Sequence, residues 1–517
     1  SCLVSNVNNV ITTIIAKTNL IERKILYFLE IFSILFLLFC LVRKFTSERW
    51  AAWLFLLFMA FNEFNFAGFH TIFFSYDFDG KFLSGAFVLA TLLFFIEGKM
   101  WLAALAQGIA FYLHPGMGIW TLSTLMSYRI LQVGTEQLWK TAEKRKKCAG
   151  IVQDTAIFLF VFLLIIFPKF YQLLDGAPRE YFIDRQTQLD IFKYSASGQI
   201  SLYLAAQFEQ KSLMIWGILT TNLMFLVLLL QHFRPGRIPE KLKPVVYFYI
   251  GTLGVVCLNE ILINAFNSHL GVYYGLVRVS GFNFMFMTIL LSVMIVEVYR
   301  QRRYTEFTLW VIFMLNYSVV HYRLLSFWVQ LGILLCIIGV RFSKLFLPID
   351  AAVELHLSSP GGKRTRRMLF VSMCLFIVFI FGTRCSYKLN TTRVDKDEEN
   401  YKNAIRYVNE NNKEREIVLY PFHNHEPFFE ISNNPGFFCM YYTVLFNDLY
   451  RYDPALQLKA YTKFLELQRE FGIDIVRDLK RDPFGFSALW RKAWAEKVDH
   501  DFIERWGRMY PIGYIIR

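Results

Sequence analysis

The stretch FLSGAFVLATLLFFIEGKMWLAALAQGIAFYLHPGMGIW, residues 82–120, decides how the fold is read. It contains apolar segments that are separated by a short charged turn and by the triplet His114-Pro115-Gly116. Proline lacks the backbone N–H and glycine is conformationally permissive, so the triplet can end one helix and begin the next. We therefore predict two helices in residues 101–132. One long helix here would reverse the sidedness of every later segment.

The composition is that of a membrane protein. Of the 517 residues, 55% are hydrophobic, 18% are aromatic and only 19% are charged. Apolar windows of about 18 residues or more are typical of membrane-spanning helices. We predict an α-helical polytopic membrane protein with about twelve spans. The predicted spans are residues 25–44, 50–68, 83–97, 101–113, 116–132, 153–174, 212–232, 244–263, 279–298, 307–320, 324–341 and 368–383.

The positive charge is concentrated in short loops between these segments. The net charge is +14, yet the residues after 383 carry 21 basic and 20 acidic side chains. Such a distribution sets membrane topology, because basic loops stay cytoplasmic, and we expect no nucleic-acid partner. Five basic loops fall on one side of the predicted membrane. They contain Arg43-Lys44, Lys144–Lys147, Arg234/Arg237/Lys241/Lys243, Arg300/Arg302/Arg303 and Lys363/Arg364/Arg366/Arg367.

The opposite, extracytoplasmic side then receives the remaining loops and the C-terminal region. These are residues 1–24, 69–82, 175–211, 264–278 and 384–517. The C-terminal region is mixed in charge and contains a helical stretch, NYKNAIRYVNENN, before the strand-like EIVLYP. We predict three parts: a remnant of the first extracytoplasmic loop, the transmembrane domain 25–383, and a small α/β extracytoplasmic domain after it.

The most suggestive acids are Asp77 and Asp79, in an outward loop. A D-x-D pair can hold a divalent cation such as Mg²⁺ or Mn²⁺ against a phosphate, or one aspartate can act as a general base. Two solvated aspartates in a short loop are the alternative. Lys81 follows closely and is included as a substrate-binding candidate. Upstream, Glu63 and His70 interrupt the end of an apolar span, where ionisable groups tend to face a polar cavity.

Further candidates lie near the outward ends of two later spans. His114 is either part of a substrate site or a buried, hydrogen-bonded cap at a helix break. Arg278 can bind a lipid phosphate through paired N–H donors, or it can extend to the membrane interface as a structural arginine. Tyr273, near it in the sequence, suits an interfacial aromatic belt and is a further substrate-binding candidate.

Two stretches carry a family resemblance. The run 82–120 resembles the central segment of GT-C-type polytopic glycosyltransferase-like proteins, and NAIRYVNENNKEREIVLYP resembles the opening of their outer domain. The resemblance implies transfer of a sugar from a polyprenyl-phosphate carrier on the extracytoplasmic face, by an acid in the first outer loop. Residues 1–24, expected to be the remnant of that loop, contain only Glu22 as an acid. Asp77 or Asp79 would then supply the carboxylate.

We therefore expect a membrane glycosyltransferase whose partners are membrane lipids and the carrier. Two alternatives remain open: a non-catalytic subunit that binds a protein through residues 384–517, and a transporter of a lipid-linked substrate. Phosphate-loop, G-x-S-x-G and H-E-x-x-H motifs are absent, which argues against ATPases, serine hydrolases and zincins. A bacterial inner membrane is expected, with the C-terminal domain in the periplasm or outside; a eukaryotic secretory membrane is the alternative.

Overall fold

The computed structural model describes most of the apolar part of the chain and selected parts of the rest. The described residues are 20–61, 80–135, 141–175, 212–233, 238–266, 276–319, 324–343, 347–359, 396–411, 417–419, 436–437, 512–515 and separate positions between 466 and 509. They belong to two compact units. One unit comprises Ser1–Leu174 and Gly198–Thr365, and the other comprises Asp175–Ser197 and Arg366–Arg517.

The described part of the first unit is helical. Its helices are α1 (Leu20–Phe45), α2 (Arg49–Phe61), α3 (Gly80–Ile96), α4 (Met100–Leu113), α5 (Pro115–Thr135), α6 (Ala142–Asp175), α7 (Ser212–Phe233), α8 (Lys243–Asn264), α9 (Ser280–Arg300), α10 (Tyr304–Val319), α11 (Leu324–Phe342) and α12 (Leu347–Ser358). A short 3₁₀ helix, Leu276–Val279, runs directly into α9.

The prediction of a mainly helical chain is confirmed. Each of the first eleven predicted segments overlaps one of the helices α1–α11. Residues 62–68 of the second segment, residue 320 of the tenth and all of 368–383 lie outside the described part. Helix α12 was not predicted. It is short, begins near a proline and carries Asp350 and Glu354, so it lacks the long uncharged pattern of a span.

Three described helices are long and apolar enough to cross a membrane. They are Ala142–Pro168, Lys243–Asn264 and Ser280–Arg300. The pair Trp328–Phe342 and Leu347–Ser358, bent by 88°, would be a fourth if it forms one span. Shorter apolar helices include Arg49–Met59, Leu83–Ile96, Met100–Leu113 and Thr220–Phe233.

The described helices differ in how far their apolar side chains are buried. Helix α9 is central, with 83% of its most apolar window buried, whereas only 22% of the corresponding window of α6 is buried. On α1, Phe28, Phe32 and Phe36 stack on one another and remain more than half exposed. Contiguous apolar surfaces of this kind are rare on proteins surrounded by water. They are therefore expected to face lipid.

The reversal of the chain at residues 114–116 is confirmed by side-chain contacts. Gln107 Nε2 donates a hydrogen bond of 2.5 Å to the carbonyl oxygen of Gly118. In a straight helix these residues would lie about 16 Å apart along the axis, at 1.5 Å per residue. At the other end of the hairpin, Arg129 Nη2 lies 3.9 Å from Met100 Sδ. Helices α4 and α5 are thus antiparallel neighbours.

Ion pairs join several helix ends at one end of the bundle, which we call the basic end. Glu97, in the turn between α3 and α4, pairs with Lys44 and with Lys99, the latter at 2.8 Å. Their hydrogen bonds, that of Lys44 first, hold the pKa of Glu97 below its ordinary value. Arg300, at the end of α9, pairs with Glu48 just before α2. The end that carries His114 is called the opposite end.

The described part of the second unit contains helix α13 (Lys396–Asn411), strands β1 (Ile417–Leu419) and β2 (Gly436–Phe437), helix α14 (His500–Met509) and strand β3 (Ile512–Ile515). The strands form a parallel sheet of order β2-β1-β3. The side chain of Asp499 caps α14 by accepting a hydrogen bond of 2.8 Å from the N–H of Phe502. On the buried face of α14, the ring of Phe502 stacks on that of Trp506 and also on that of Phe471, which precedes the helix in the chain.

The tight hairpin predicts that Gly118 tolerates no larger residue. A Cβ atom at Gly118 would lie 2.7 Å from the ring of Phe111 and 3.0 Å from its Cα. We expect Gly118→Ala to destabilise the protein by about 1–3 kcal/mol, the usual cost of overpacking. The loss should be measurable as a lower thermal unfolding midpoint in lipid nanodiscs.

Gly254→Ala is the matched control, because a Cβ atom there meets nothing within 4 Å. That substitution is expected to leave stability unchanged or to raise it by up to about 1 kcal/mol, since alanine favours helix over glycine. Equal effects of the two substitutions would contradict the close approach of α4 and α5.

Candidate functional site

His114 closes one helix and opens the next. Its backbone is extended, with φ −151° and ψ 101°, and its N–H donates to the carbonyl of Ala110 at 2.8 Å. Its ring Nδ1 accepts a hydrogen bond of 3.1 Å from the N–H of Met117. With Pro115 in the first helical position, this is the geometry of an N-cap bonded to the third helical residue. The predicted capping role is confirmed, and it requires an imidazole with Nδ1 unprotonated.

The structure brings two of the predicted site residues together on one tryptophan. The ring centroids of His114 and Trp120 are 5.7 Å apart, and the guanidinium carbon of Arg278 lies 5.0 Å from the centroid of the same indole. Trp120 is only 3% exposed, so it is a fixed platform for a cation–π contact. Gly116 permits the close approach, because a Cβ there would meet both His114 and Trp120 at 2.9–3.0 Å.

A buried polar network lies at the start of α9, shortly after Arg278 in the chain. Asn283 Nδ2 donates to the carbonyl of Tyr249 at 2.9 Å and to Thr252 Oγ1 at 3.1 Å. The Tyr249 hydroxyl donates in turn to Asn222 Oδ1 at 2.9 Å. These bonds join α7, α8 and α9, and the 3₁₀ turn that carries Arg278 continues into α9. The network thus anchors the backbone of α9 directly after Arg278, while the guanidinium itself contacts Trp120.

Trp120 belongs to this site but was not predicted, and neither was Gln107, which lies in the same hairpin. Gln107 is fully buried, and in the described part of the chain its Oε1 accepts no hydrogen bond. A buried acceptor of this kind is unusual and is suited to a donor from a bound molecule or water. The available signal was the single amide in the Ala-rich segment of α4. Trp120 gave no distinct signal, since aromatic residues are common throughout the chain.

Most of the other predicted site residues lie outside the described part of the chain. These are Glu63, His70, Tyr273, Asp77 and Asp79. Lys81 is the second residue of α3, and only its backbone is described. Within the described residues, no group of three or more His, Cys, Asp or Glu side chains is arranged to hold a metal ion. The metal site assigned to Asp77 and Asp79 therefore stays a prediction.

Two buried carboxylates were also missed. Glu30, on α1, is 4% exposed, and its signal was a lone acid within the apolar run LYFLEIFSIL. Glu306, at the start of α10, is fully buried between Arg303 and Arg341, and Arg341 Nε donates to its Oε1 at 2.7 Å. Trp310 Nε1 donates to the same oxygen at 3.1 Å. Glu306 thus has a structural role, whereas an inward-facing acid such as Glu30 is a candidate for function.

Comparison with known proteins assigns no family to this chain. No protein-family model, no curated protein and no solved structure matches it. The resemblance to GT-C-type proteins therefore stays a hypothesis, and function is inferred from the chain's own side chains.

The capping bond at His114 predicts how substitutions there behave. His114→Ala removes the acceptor for the Met117 N–H, and we expect a loss of about 0.5–2 kcal/mol in the free energy of unfolding. His114→Asn keeps a short acceptor at the N-cap and is expected to restore most of that loss. Chemical unfolding in mixed micelles, followed by tryptophan fluorescence, measures both. Equal stability of the alanine variant and the unchanged protein would contradict the capping role.

Proposed function

We propose that this chain is a polytopic membrane protein with twelve spans and an outer α/β domain. On this proposal it transfers a sugar from a polyprenyl-phosphate carrier at the extracytoplasmic face. The observation that carries the proposal is the fixed guanidinium of Arg278, held over Trp120 beside His114 at the opposite end of the bundle.

The sidedness is supported by the charges at the basic end. Lys44, Lys99 and Arg300 all lie at helix ends or turns there, within the network of ion pairs described above. Basic residues of short connections stay cytoplasmic, so the basic end is assigned to the cytoplasm and the His114 end to the outer face. Exposed Trp50 and Trp101 near the basic end are suited to an interfacial aromatic belt.

The outer end offers the chemistry that a carrier phosphate needs. An arginine presents its donors as a planar fork, which matches two phosphate oxygens, and it stays charged at all physiological pH values. The contact with Trp120 orients the fork before substrate arrives, and the network through Asn283 anchors the helix that follows it. Such preorganisation lowers the cost of stabilising the charge that develops on a departing phosphate.

The carboxylates proposed for catalysis are Asp77 and Asp79. In the sequence, Asp79 directly precedes Gly80, with which α3 begins at the opposite end of the bundle. In the proposed reaction, one aspartate accepts the proton of an acceptor hydroxyl as that oxygen attacks the anomeric carbon of the sugar. The bond from that carbon to the carrier phosphate breaks, and Arg278 stabilises the phosphate that leaves.

The carrier site is tested by binding of undecaprenyl phosphate to the protein in nanodiscs, measured by native mass spectrometry. Arg278→Ala is expected to weaken binding about tenfold or more, because charge-assisted hydrogen bonds contribute about 1.5–3 kcal/mol. Arg278→Lys keeps the charge but loses the fork, so its affinity for undecaprenyl phosphate should fall between those of Arg278→Ala and the unsubstituted protein. Arg300→Ala, at the basic end, is the control and should bind normally. Unchanged binding by Arg278→Ala would refute the site.

The reaction is tested by release of polyprenyl phosphate from a set of hexose and pentose donors, with native membranes as the source of acceptor. Asp77→Asn or Asp79→Asn is expected to lower release at least a hundredfold, the contribution of a general base. Asp501→Asn, on the exposed side of α14, is the control. Full activity in both aspartate variants would refute the assignment of the acids. No release with any donor, together with a stable partner bound through residues 384–517, would favour the non-catalytic subunit.

A further inference from the structure

Arg129 is a partly buried cation near the basic end that the proposed reaction does not use. Its guanidinium carbon lies 4.4 Å from the centre of the Phe95 ring, and Nη1 donates to Gln132 Oε1 at 2.8 Å. Nη2 contacts only Met100 Sδ, at 3.9 Å, and Nε is buried without a hydrogen-bond acceptor in the described part of the chain. No ion pair within that part includes Arg129, so most of its five N–H donors have no strong acceptor there.

The groups around Arg129 leave an excess of positive charge. Lys44 and Lys99 flank the turn that follows Phe95, and both pair with the same carboxylate, Glu97. Asp154, on α6, acts on Arg129 through longer-range electrostatics. Lys99 directly precedes Met100, whose Sδ lies 3.9 Å from Arg129 Nη2, so a third cation stands next to the pair that shares Glu97. A buried guanidinium at such a place is most stable beside an anion.

This region opens toward the surroundings of the bundle. Ile130, next to Arg129, is 72% exposed, and Trp101, next to Met100, is 59% exposed. Helix α6 borders the same region, because Phe158 makes an edge-to-face contact with Phe95 at 5.5 Å. A cation with apolar side chains beside it, near the end of a membrane helix, fits a lipid headgroup and its acyl chains.

The first turns of α6 add to the positive surface. Residues 144–147, Lys-Arg-Lys-Lys, are all exposed, and they stand within the first six residues of the helix. Cations are disfavoured there by the helix macrodipole, which carries its positive end at the N-terminus. These four residues therefore do not stabilise the helix. Their position is compatible with a negatively charged membrane surface next to the N-terminus of α6.

We propose that Arg129, Lys99 and Lys44 form a binding site for the phosphate headgroup of an anionic phospholipid of the cytoplasmic leaflet. Nη2 of Arg129 donates to a phosphate oxygen, and the phosphate competes with Glu97 for the two ammonium groups. The acyl chains lie along Trp101 and Ile130. The site is at the basic end, distinct from the carrier site, and it depends on the membrane location but not on the transferase activity.

Lipid retention tests the proposal. The full-length protein is extracted from nanodiscs of mixed phosphatidylglycerol and phosphatidylcholine, and bound lipids are counted by native mass spectrometry. We expect retained phosphatidylglycerol in preference to phosphatidylcholine. Arg129→Gln and Lys99→Gln should each weaken that preference about fivefold, the effect of one basic residue at a membrane surface. Arg300→Gln, at the same end, should leave it unchanged.

Glu97→Gln separates the proposal from a merely structural role for these cations. Removing that carboxylate frees Lys44 and Lys99 for the lipid, so phosphatidylglycerol retention is expected to rise, whereas structural damage would lower it. Equal retention of both lipids by the unsubstituted protein, or an unchanged preference in Arg129→Gln, would overturn the proposal. Binding of millimolar inorganic phosphate in place of the lipid would overturn the assignment to a phospholipid.

Discussion

The hydrogen bond from the Met117 N–H to His114 Nδ1 is the interaction on which the rest of the bundle depends. Together with Pro115, which lacks a backbone N–H, it starts α5 directly after α4 ends, so the chain reverses where a continuous helix would otherwise run. The reversal brings Trp120 back beside His114 and sets which ends of the later helices meet. The contacts of Trp120 with His114 and Arg278 require this reversal. The capping bond and the proline beside it thus set the direction of the next helix.

The helices, the break between α4 and α5 and part of the candidate site could be predicted from the sequence. The break at His114 was predicted because proline and glycine act locally, through backbone geometry. The helices were predicted because apolar runs of their length have few alternatives. Arg278 was selected as a cation at the edge of an apolar run, but its contact with Trp120 joins residues 158 positions apart and has no local pattern. Gln107 and Glu30 were missed because a single polar residue in a span does not reveal which way it faces.

Charge is handled differently at different places in the bundle. Glu306 is buried with two arginines and a tryptophan N–H around it, so its negative charge is matched at short range. Lys44 and Lys99 share one carboxylate and remain about half exposed. Burial without a partner costs several kcal/mol per ion, and the buried carboxylate of Glu306 accordingly has two arginine partners. The surplus positive charge lies at the periphery, where mobile anions can approach it.

The burial of α9 on all sides has a consequence for how the protein is made. This helix packs against α2, α8 and α10 and presents almost none of its surface to the surroundings. During synthesis α2 and α8 emerge before it and α10 after it. Asn283 bonds to Tyr249 and Thr252 on α8, which is made earlier, and Thr288 and Ser292 bond within α9 itself. The polar groups of α9 can therefore be satisfied as soon as it is made, whereas its face toward α10 is covered only after more than half of the chain has left the ribosome.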